Sequence, residues 1–236
     1  MVVSLLGKLP MKKNFSCELA YVLGIIILAI GSALMTMSDF GLSMIVAPAY
    51  ILHLKVSQYW SFFTFGMAEY TFQAVLLLSL IAIVRKFKWY YLFSFVTAVL
   101  YGFALDGALA ICNMFVWNAL ALRIAAYFVG LIFCTFAIAL LINTYIAPEV
   151  YELLVKEVAQ KWNKPFGKIK IAYDIFSLVL AVVMSICFFG WWPLEGIGIG
   201  TVVSALVNGW LIATFSKLLN KKLNFVDSLP LRKYFS

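Results

Sequence analysis

The stretch AEYTFQAVLLLSLIAIV, residues 68–84, decides the fold class. It is a long apolar run with one carboxylate, Glu69, set in its outer half, and other apolar runs flank it on both sides in the chain. A run of about 20 apolar residues crosses a bilayer as a helix, because a helix satisfies its own backbone polar groups where no water is present. A carboxylate inside such a run is costly in lipid, so Glu69 is expected to face protein or water.

The rest of the 236-residue chain agrees with that start. It is 65% hydrophobic and 12% charged, whereas soluble domains are about half apolar and about a quarter charged. A soluble core of this size cannot bury so much apolar side chain, and the class expected is an all-α polytopic membrane protein. The net charge of +8 reads as basic residues flanking membrane spans. No basic stripe with interleaved aromatics is present, so nucleic acid is not an expected partner. Cys17, Cys112, Cys134 and Cys187 have no metal-like spacing and read as free thiols. A single histidine excludes a His-rich metal site, and no cofactor is expected.

In chain order, residues 1–16 form a basic arm. The first apolar run, about 17–37, reads as a retained span rather than a cleaved signal peptide. Residues 38–59 are less uniformly apolar and are broken by Gly41 and Pro48. A helix over 48–58 is expected there, on the membrane surface or re-entering it. Further spans are expected at about 60–84, 90–112, 119–142, 169–189 and 201–218. Between the fourth and fifth, Glu149, Glu152, Lys156 and Gln160 recur at helical spacing opposite Val150, Leu153, Leu154 and Val158. That pattern predicts an amphipathic helix at the interface, with a solvated charged face. The turn at 190–200 brings aromatics and then glycines. A basic tail, 219–236, closes the chain.

Six spans place 16 of the 18 Lys and Arg on one side. They lie in the N-terminal arm, the loop at 85–88, the stretch 156–170 and the tail, together with Lys217 at the end of the last span, leaving only Lys55 and Arg123. The positive-inside rule then puts both termini in the cytoplasm.

The two halves, 17–118 and 119–218, echo each other in order. Ala47-Pro48, Tyr50, Lys55, Gln58 and Trp60 are matched by Ala147-Pro148, Tyr151, Lys156, Gln160 and Trp162. Ala68-Glu69-Tyr70 is matched by Ala172-Tyr173-Asp174, Asp106-Gly107 by Asn208-Gly209, and Gly24 by Gly130. Three spans per half, an odd number, make this a 3+3 inverted repeat, with a short amphipathic or re-entrant helix in each half. Such repeats typify secondary transporters, whose sites lie near mid-membrane.

The sequence resembles the YczE/YitT-type bacterial integral membrane proteins. The likeness is carried by DFGLSMIVAPAYILHLK (39–55), FGMAEYTFQA (65–74), FSFVTAVLYGFALDG (93–107), YIAPEVYELLVKEVAQKW (145–162) and EGIGIGTVVSALVNG (195–209). It implies a duplicated unit: a span, a short Gly/Pro-containing segment, a span, then a small-residue span led by Gly-Thr. Gly200-Thr201 fits that lead in the second half, and Ser94-Phe95 stands near the corresponding place in the first. The resemblance implies fold and location and carries no activity.

Candidate site residues are the membrane acids and their neighbours. With its span beginning near residue 60, Glu69 lies about 14 Å along the helix, near mid-depth, and is the first candidate proton carrier. Asp174, its repeat counterpart, and Asp106 are the other candidates for proton or cation coupling. Asp106 is also a candidate salt-bridge partner of Arg123. Tyr70, Tyr173, Asn208, Arg123 and His53 are candidate substrate contacts. Hydrolase, zinc-protease, P-loop and dinucleotide signatures are missing, so no enzyme is expected. Two functions follow from these readings. One is a carrier or channel-like protein for a small molecule, working alone or as a homo-oligomer. The other is an accessory or substrate-binding subunit that docks a partner membrane subunit.

Overall fold

The computed structural model describes residues 13–191, 194–230 and 232. Lys8 and Lys12 of the arm, Trp192 of the turn and Lys233 of the tail lie outside the described residues. The chain order is β1 (Lys13–Ser16), α1 (Cys17–Ser38), α2 (Ala47–Val56), α3 (Phe65–Val84), α4 (Tyr90–Cys112), α5 (Leu120–Ile142), α6 (Val150–Lys161), α7 (Phe166–Phe189), α8 (Ile199–Lys222) and β2 (Leu223–Val226). Six of these helices, α1, α3, α4, α5, α7 and α8, are long and apolar enough to cross a membrane. The chain is a helical multi-pass membrane protein, as its composition predicts.

Local chemistry sets the helix ends. Ser16 and Thr64 lie just before α1 and α3, and their hydroxyls accept from Leu19 N and Met67 N, satisfying donors that the first turn leaves free. Asp39 and Arg85 end α1 and α3 in the left-handed conformation, with φ of 59° and 57°. α3 therefore starts at Phe65, five residues later than the apolar run suggests. Residues 60–64 instead form a turn capped by Thr64. α8 continues to Lys222, four residues into the basic tail, because a lysine can extend its charged end to solvent from a helix end.

The arm and tail carry structure that no hydropathy pattern reports. β1 and β2 pair in parallel, Lys13 opposite Leu223 through Ser16 opposite Val226. The Glu18 carboxylate accepts from Ser16 Oγ, Tyr145 OH, Ser228 N and Leu229 N at 2.6–3.1 Å. Both chain ends are thus tied to one end of the bundle, here called the termini end. Asp39 and Trp117 mark the far end.

At the centre α1 and α5 cross as antiparallel partners. A Cβ on Gly31 would lie 2.7 Å from Cys134 Sγ and 2.9 Å from Gly130 O, and one on Gly130 would lie 2.7 Å from Gly31 O. Lipid supplies no hydrophobic drive between helices, so close packing through small residues holds them. α4 packs on α1, and α8 packs on α5. α2 rests on α3 and α7, and α6 rests on α7 and α3. α3 packs closely on α4: a Cβ on Gly66 would lie 2.1 Å from Gly102 O. α7 and α8 have no comparable contact.

Gly31→Leu is expected to lose about 1–3 kcal/mol of stability, because backbone on the facing helix cannot give way. A fall in the melting temperature of the detergent-purified protein, larger than for Gly107→Leu, checks this; Gly107 has open space around it.

Candidate functional site

α2 and α6 are both too short to cross a bilayer, and each runs outward from the interior of the bundle. Ala47, at the start of α2, packs beside Ala181 within α7. Lys55, near its end, donates to Phe188 O at the far end of α7. α6 runs the other way. Tyr151, at its start, meets Glu69, while Lys161, at its end, donates to Ile83 O at the termini end of α3. Both short helices therefore start inside the bundle and run to opposite ends of it, and α6 is buried rather than on the surface as its periodicity predicts. Val150, Tyr151, Leu153, Val155 and Val158 are buried against α3, α4 and α7. Glu149 and Glu157 are buried too, while Lys156 and Gln160 are exposed. A charged face at helical spacing reads the same whether it meets water or the polar interior of a bundle.

Glu69 lies in the second turn of α3, about 6 Å from that helix's start rather than about 14 Å. It remains near mid-height because α3 is recessed. Gly66 sits against Gly102, which lies about 18 Å along α4 from its termini end and about 15 Å from its far end. The Glu69 side chain is fully buried. Its Oε2 accepts from Tyr151 OH at 2.8 Å and from Gln73 Nε2 at 3.4 Å, and its Oε1 has no partner. Gln73 Oε1 in turn accepts from Val150 N at 3.1 Å, satisfying a donor of the first turn of α6. The peptide before α6 is held from the other side: Thr97 Oγ1 donates to Ala147 O at 3.0 Å and pairs with Tyr21 OH at 2.7 Å.

Around the α6 N-terminus the carboxylates converge. Glu149 is 6% exposed, and its Oε1 has no partner. Burial, with Glu152 and Glu69 beside it, holds its carboxyl well above the usual carboxylate range. Burial also raises the Glu152 carboxyl, against the attraction of Lys170 on α7. Asp174 forms an ion pair with Lys170 at 3.1 Å, one helical turn away. The buried Tyr173 lies within electrostatic reach of Glu69, Glu152 and Asp174. Glu69, Tyr173 and Asp174 thus share one polar region, and Asn208 faces its edge from α8. Asn208 lines, with Glu149, Glu152, Ser32 and Tyr101, a gap of about 60 Å³ between the helices.

The other candidates fall elsewhere. Asp106 is not the partner of Arg123. It caps α3, accepting from Thr64 Oγ1 at 2.6 Å and Gly66 N at 2.8 Å. An anion at a helix N-terminus is stabilised there by the unsatisfied N–H groups. Arg123 instead binds Asp39 at 2.9 Å and donates to Ser38 O, closing the far end of the α1–α5 pair. Tyr70 lies on the α3–α4 contact, near Gly102 and Phe103. His53 donates from Nδ1 to Phe63 O at 2.8 Å and stacks on Phe65. Burial lowers its ring below the ordinary imidazole value.

Sequence reading missed Gln73, Tyr151 and Glu149 as members of one buried network. Glu69 and Gln73 stand four apart, on one helical face, and that spacing was a usable signal. Tyr151 was visible only as a repeat echo of Tyr50. Glu157 was also missed: its carboxylate takes Lys88 at 2.8 Å, Tyr90 and Tyr91, locking the loop after α3 to α6.

Residues 15–217 match a family described as a family of unknown function, DUF6198, and the chain belongs to that family. Neither the curated proteins nor the solved structures include a match to it.

Removing the Asp106 cap with Asp106→Ala is expected to cost about 1–2 kcal/mol, the value of a charged N-cap. Thermal melts of the purified protein check this, with Asp106→Asn intermediate.

Proposed function

We propose that this protein is a carrier for a small molecule, built as a 3+3 inverted repeat in a bacterial plasma membrane with both termini cytoplasmic. One observation carries the reading. Two short helices approach mid-height from opposite ends of the bundle, and residues beside both of their N-termini, Val46 and Pro148, border one gap. In transporters of this architecture, half-helix ends of this kind form the solute site.

The packing supports the repeat. Taking Gly24 as the counterpart of Gly130 makes Gly31 the counterpart of Ala137. The contact of Gly31 with Gly130 then maps onto the contact of Gly24 with Ala137, and both are present. The pairs α1–α4 and α5–α8, α2–α3 and α6–α7, and α3–α6 and α7–α2 correspond in the same way. Glu69 belongs, with Glu149 and Glu152, to the coupling cluster: a buried carboxyl with one free oxygen and a hydroxyl donor that can release it. Asp174, tied to Lys170, and Asp106, tied to the α3 cap, serve structure in this reading.

The chain reconstituted in liposomes is expected to take up solute from a metabolite panel faster under an imposed pH gradient. Glu69→Gln is expected to remove at least tenfold of the gradient-driven part, while Asp106→Asn retains it. Flux indifferent to both pH and Glu69→Gln would remove proton coupling. A chain inert alone but recovered with a partner membrane protein would favour the accessory-subunit reading.

A further inference from the structure

The gap beside the α6 N-terminus has walls of one chemical kind and orphaned atoms of another. Leu28, Met35, Leu42, Leu131 and Ile138 make it mainly apolar. Two buried polar atoms belonging to its lining residues lack partners, Glu149 Oε1 and Asn208 Oδ1, and both accept hydrogen bonds. Of the hydroxyls at this wall, Tyr101 OH donates to Ser32 Oγ at 2.8 Å, and Tyr151 OH donates to Glu69. A molecule that donates hydrogen bonds completes the two orphaned acceptors, and unmade bonds to buried acceptors are costly.

Charge points the same way. Glu149 and Glu152 border the gap, and Glu69 lies one residue contact behind them. Lys170 is the cation that offsets Glu152, and it is already paired with Asp174. The α2 and α6 N-termini both border the gap and contribute only about half a positive charge each. Two ionised carboxylates outweigh them.

We propose that this gap is a binding site for small monovalent organic cations, primary amines with an apolar body, and that the amine enters in exchange for a proton held by the Glu149–Glu152 pair. The apolar walls take the body of the amine. Its N–H groups reach the Glu149 carboxylate and the Asn208 amide oxygen. The proton balance is simple: an ammonium ion from water and a neutral carboxyl become an ammonium–carboxylate pair, and the displaced proton leaves to water. No covalent bond changes except O–H.

The groups facing Glu149 set the sign of the pH dependence. They are Glu152 on α6, Glu69 and Gln73 on α3, Tyr21 on α1, Tyr101 on α4 and Cys134 on α5, with Lys170 and Asp174 on α7 acting on Glu152. None of those facing Glu149 directly is a fixed cation. With no cation beside it, the buried Glu149 carboxyl favours its protonated form, and a cation that binds there displaces that proton. Affinity for the cation rises with pH, about tenfold per unit for one-for-one exchange, until the carboxyl is already ionised. This inference rests on the carrier reading for its use in transport, but not for binding.

The test is calorimetry on the full chain in nanodiscs, with benzylammonium as the probe and benzyl alcohol and benzoate as its neutral and anionic counterparts. Repeating the titration in buffers of different ionisation enthalpy counts the protons released. Benzylammonium is expected to bind and release up to one proton per molecule, and the other two are not. Glu149→Gln, with Glu152→Gln as a second variant should the first fail to fold, is expected to weaken binding at least tenfold and abolish proton release. Glu195→Gln, outside the gap in the neighbouring cleft at the far end, leaves both unchanged.

Benzoate binding in place of the amine, absence of benzylammonium binding, or binding without proton release would each overturn the proposal. Binding with release but no flux in liposomes would retain the site and remove the carrier reading. Flux of some solute without amine binding would do the reverse.

Discussion

A helix that begins inside a bilayer leaves its first N–H groups without water to satisfy them. The arrangement of this protein follows from meeting that constraint twice. At α6 the Gln73 side chain, projecting from a crossing helix, accepts from Val150 N, while Thr97 holds the carbonyl of Ala147. At α2 the chain solves the problem locally, with Val46 N and Ala47 N both donating to Ser43 O at 3.0 Å. The two solutions differ in consequence. The local one is self-contained. The one at α6 recruits α3, and Glu69, one turn before Gln73, is drawn into the same network through Tyr151. A buried carboxylate at mid-height is thus joined to the device that lets a helix start there.

The halves resemble each other in order but not in tightness. Gly66 and Gly102 let α3 and α4 meet backbone to backbone, and Asp106 uses the closeness to cap α3. The second half has Ser204 four residues before Asn208, where α4 has Gly102 four residues before Asp106. Ser204 Oγ donates to Thr201 O within α8. A serine side chain and an uncharged amide cannot repeat a glycine contact and a charged cap, and α8 is held by α5 rather than by α7. That leaves Asn208 free to face the gap instead of a helix end.

Much of this was legible in the sequence, and the parts that were not have physical causes. Apolar length fixed six helices, because lipid tolerates no other lone element. Pro48 and the breaker at Gly41 marked α2. Glu69 was recognisable as a buried carboxylate because a charge in an apolar run must turn away from lipid, but its position along its helix was not, because the helix starts later than the apolar run. The helix starts at Phe65, and its recess against α4, not its length, sets the height. The exchange of partners between Asp106 and Arg123 could not be read, since both are charges within apolar runs and any acid–base pairing among them looks alike. α6 misled for a related reason. Periodicity reports which residues share a face but not what that face meets, and here Glu149 meets protein. The β1–β2 pair was invisible, because its stability comes from two chain ends meeting around Glu18, more than 200 residues apart in sequence.

The division between fixed and lightly held parts bears on how such a bundle can work. The α1–α5 crossing is locked by backbone contact at Gly31 and Gly130 and by Arg123 and Tyr145 at its two ends. α7 packs mainly on the two short helices and carries Tyr173, Asp174 and Lys170. A packed interface changes between discrete arrangements rather than bending smoothly, so movement falls where side chains alone make the contact. Under the carrier reading, α7 with α2 would rock against an α1–α5 core that stays in place. The ion pair of Lys170 with Asp174 travels with α7, so Glu152 loses or keeps its one nearby cation as α7 moves. The charge balance at the α6 N-terminus is then tied to the position of α7, which is the coupling an exchanger of protons for cations requires.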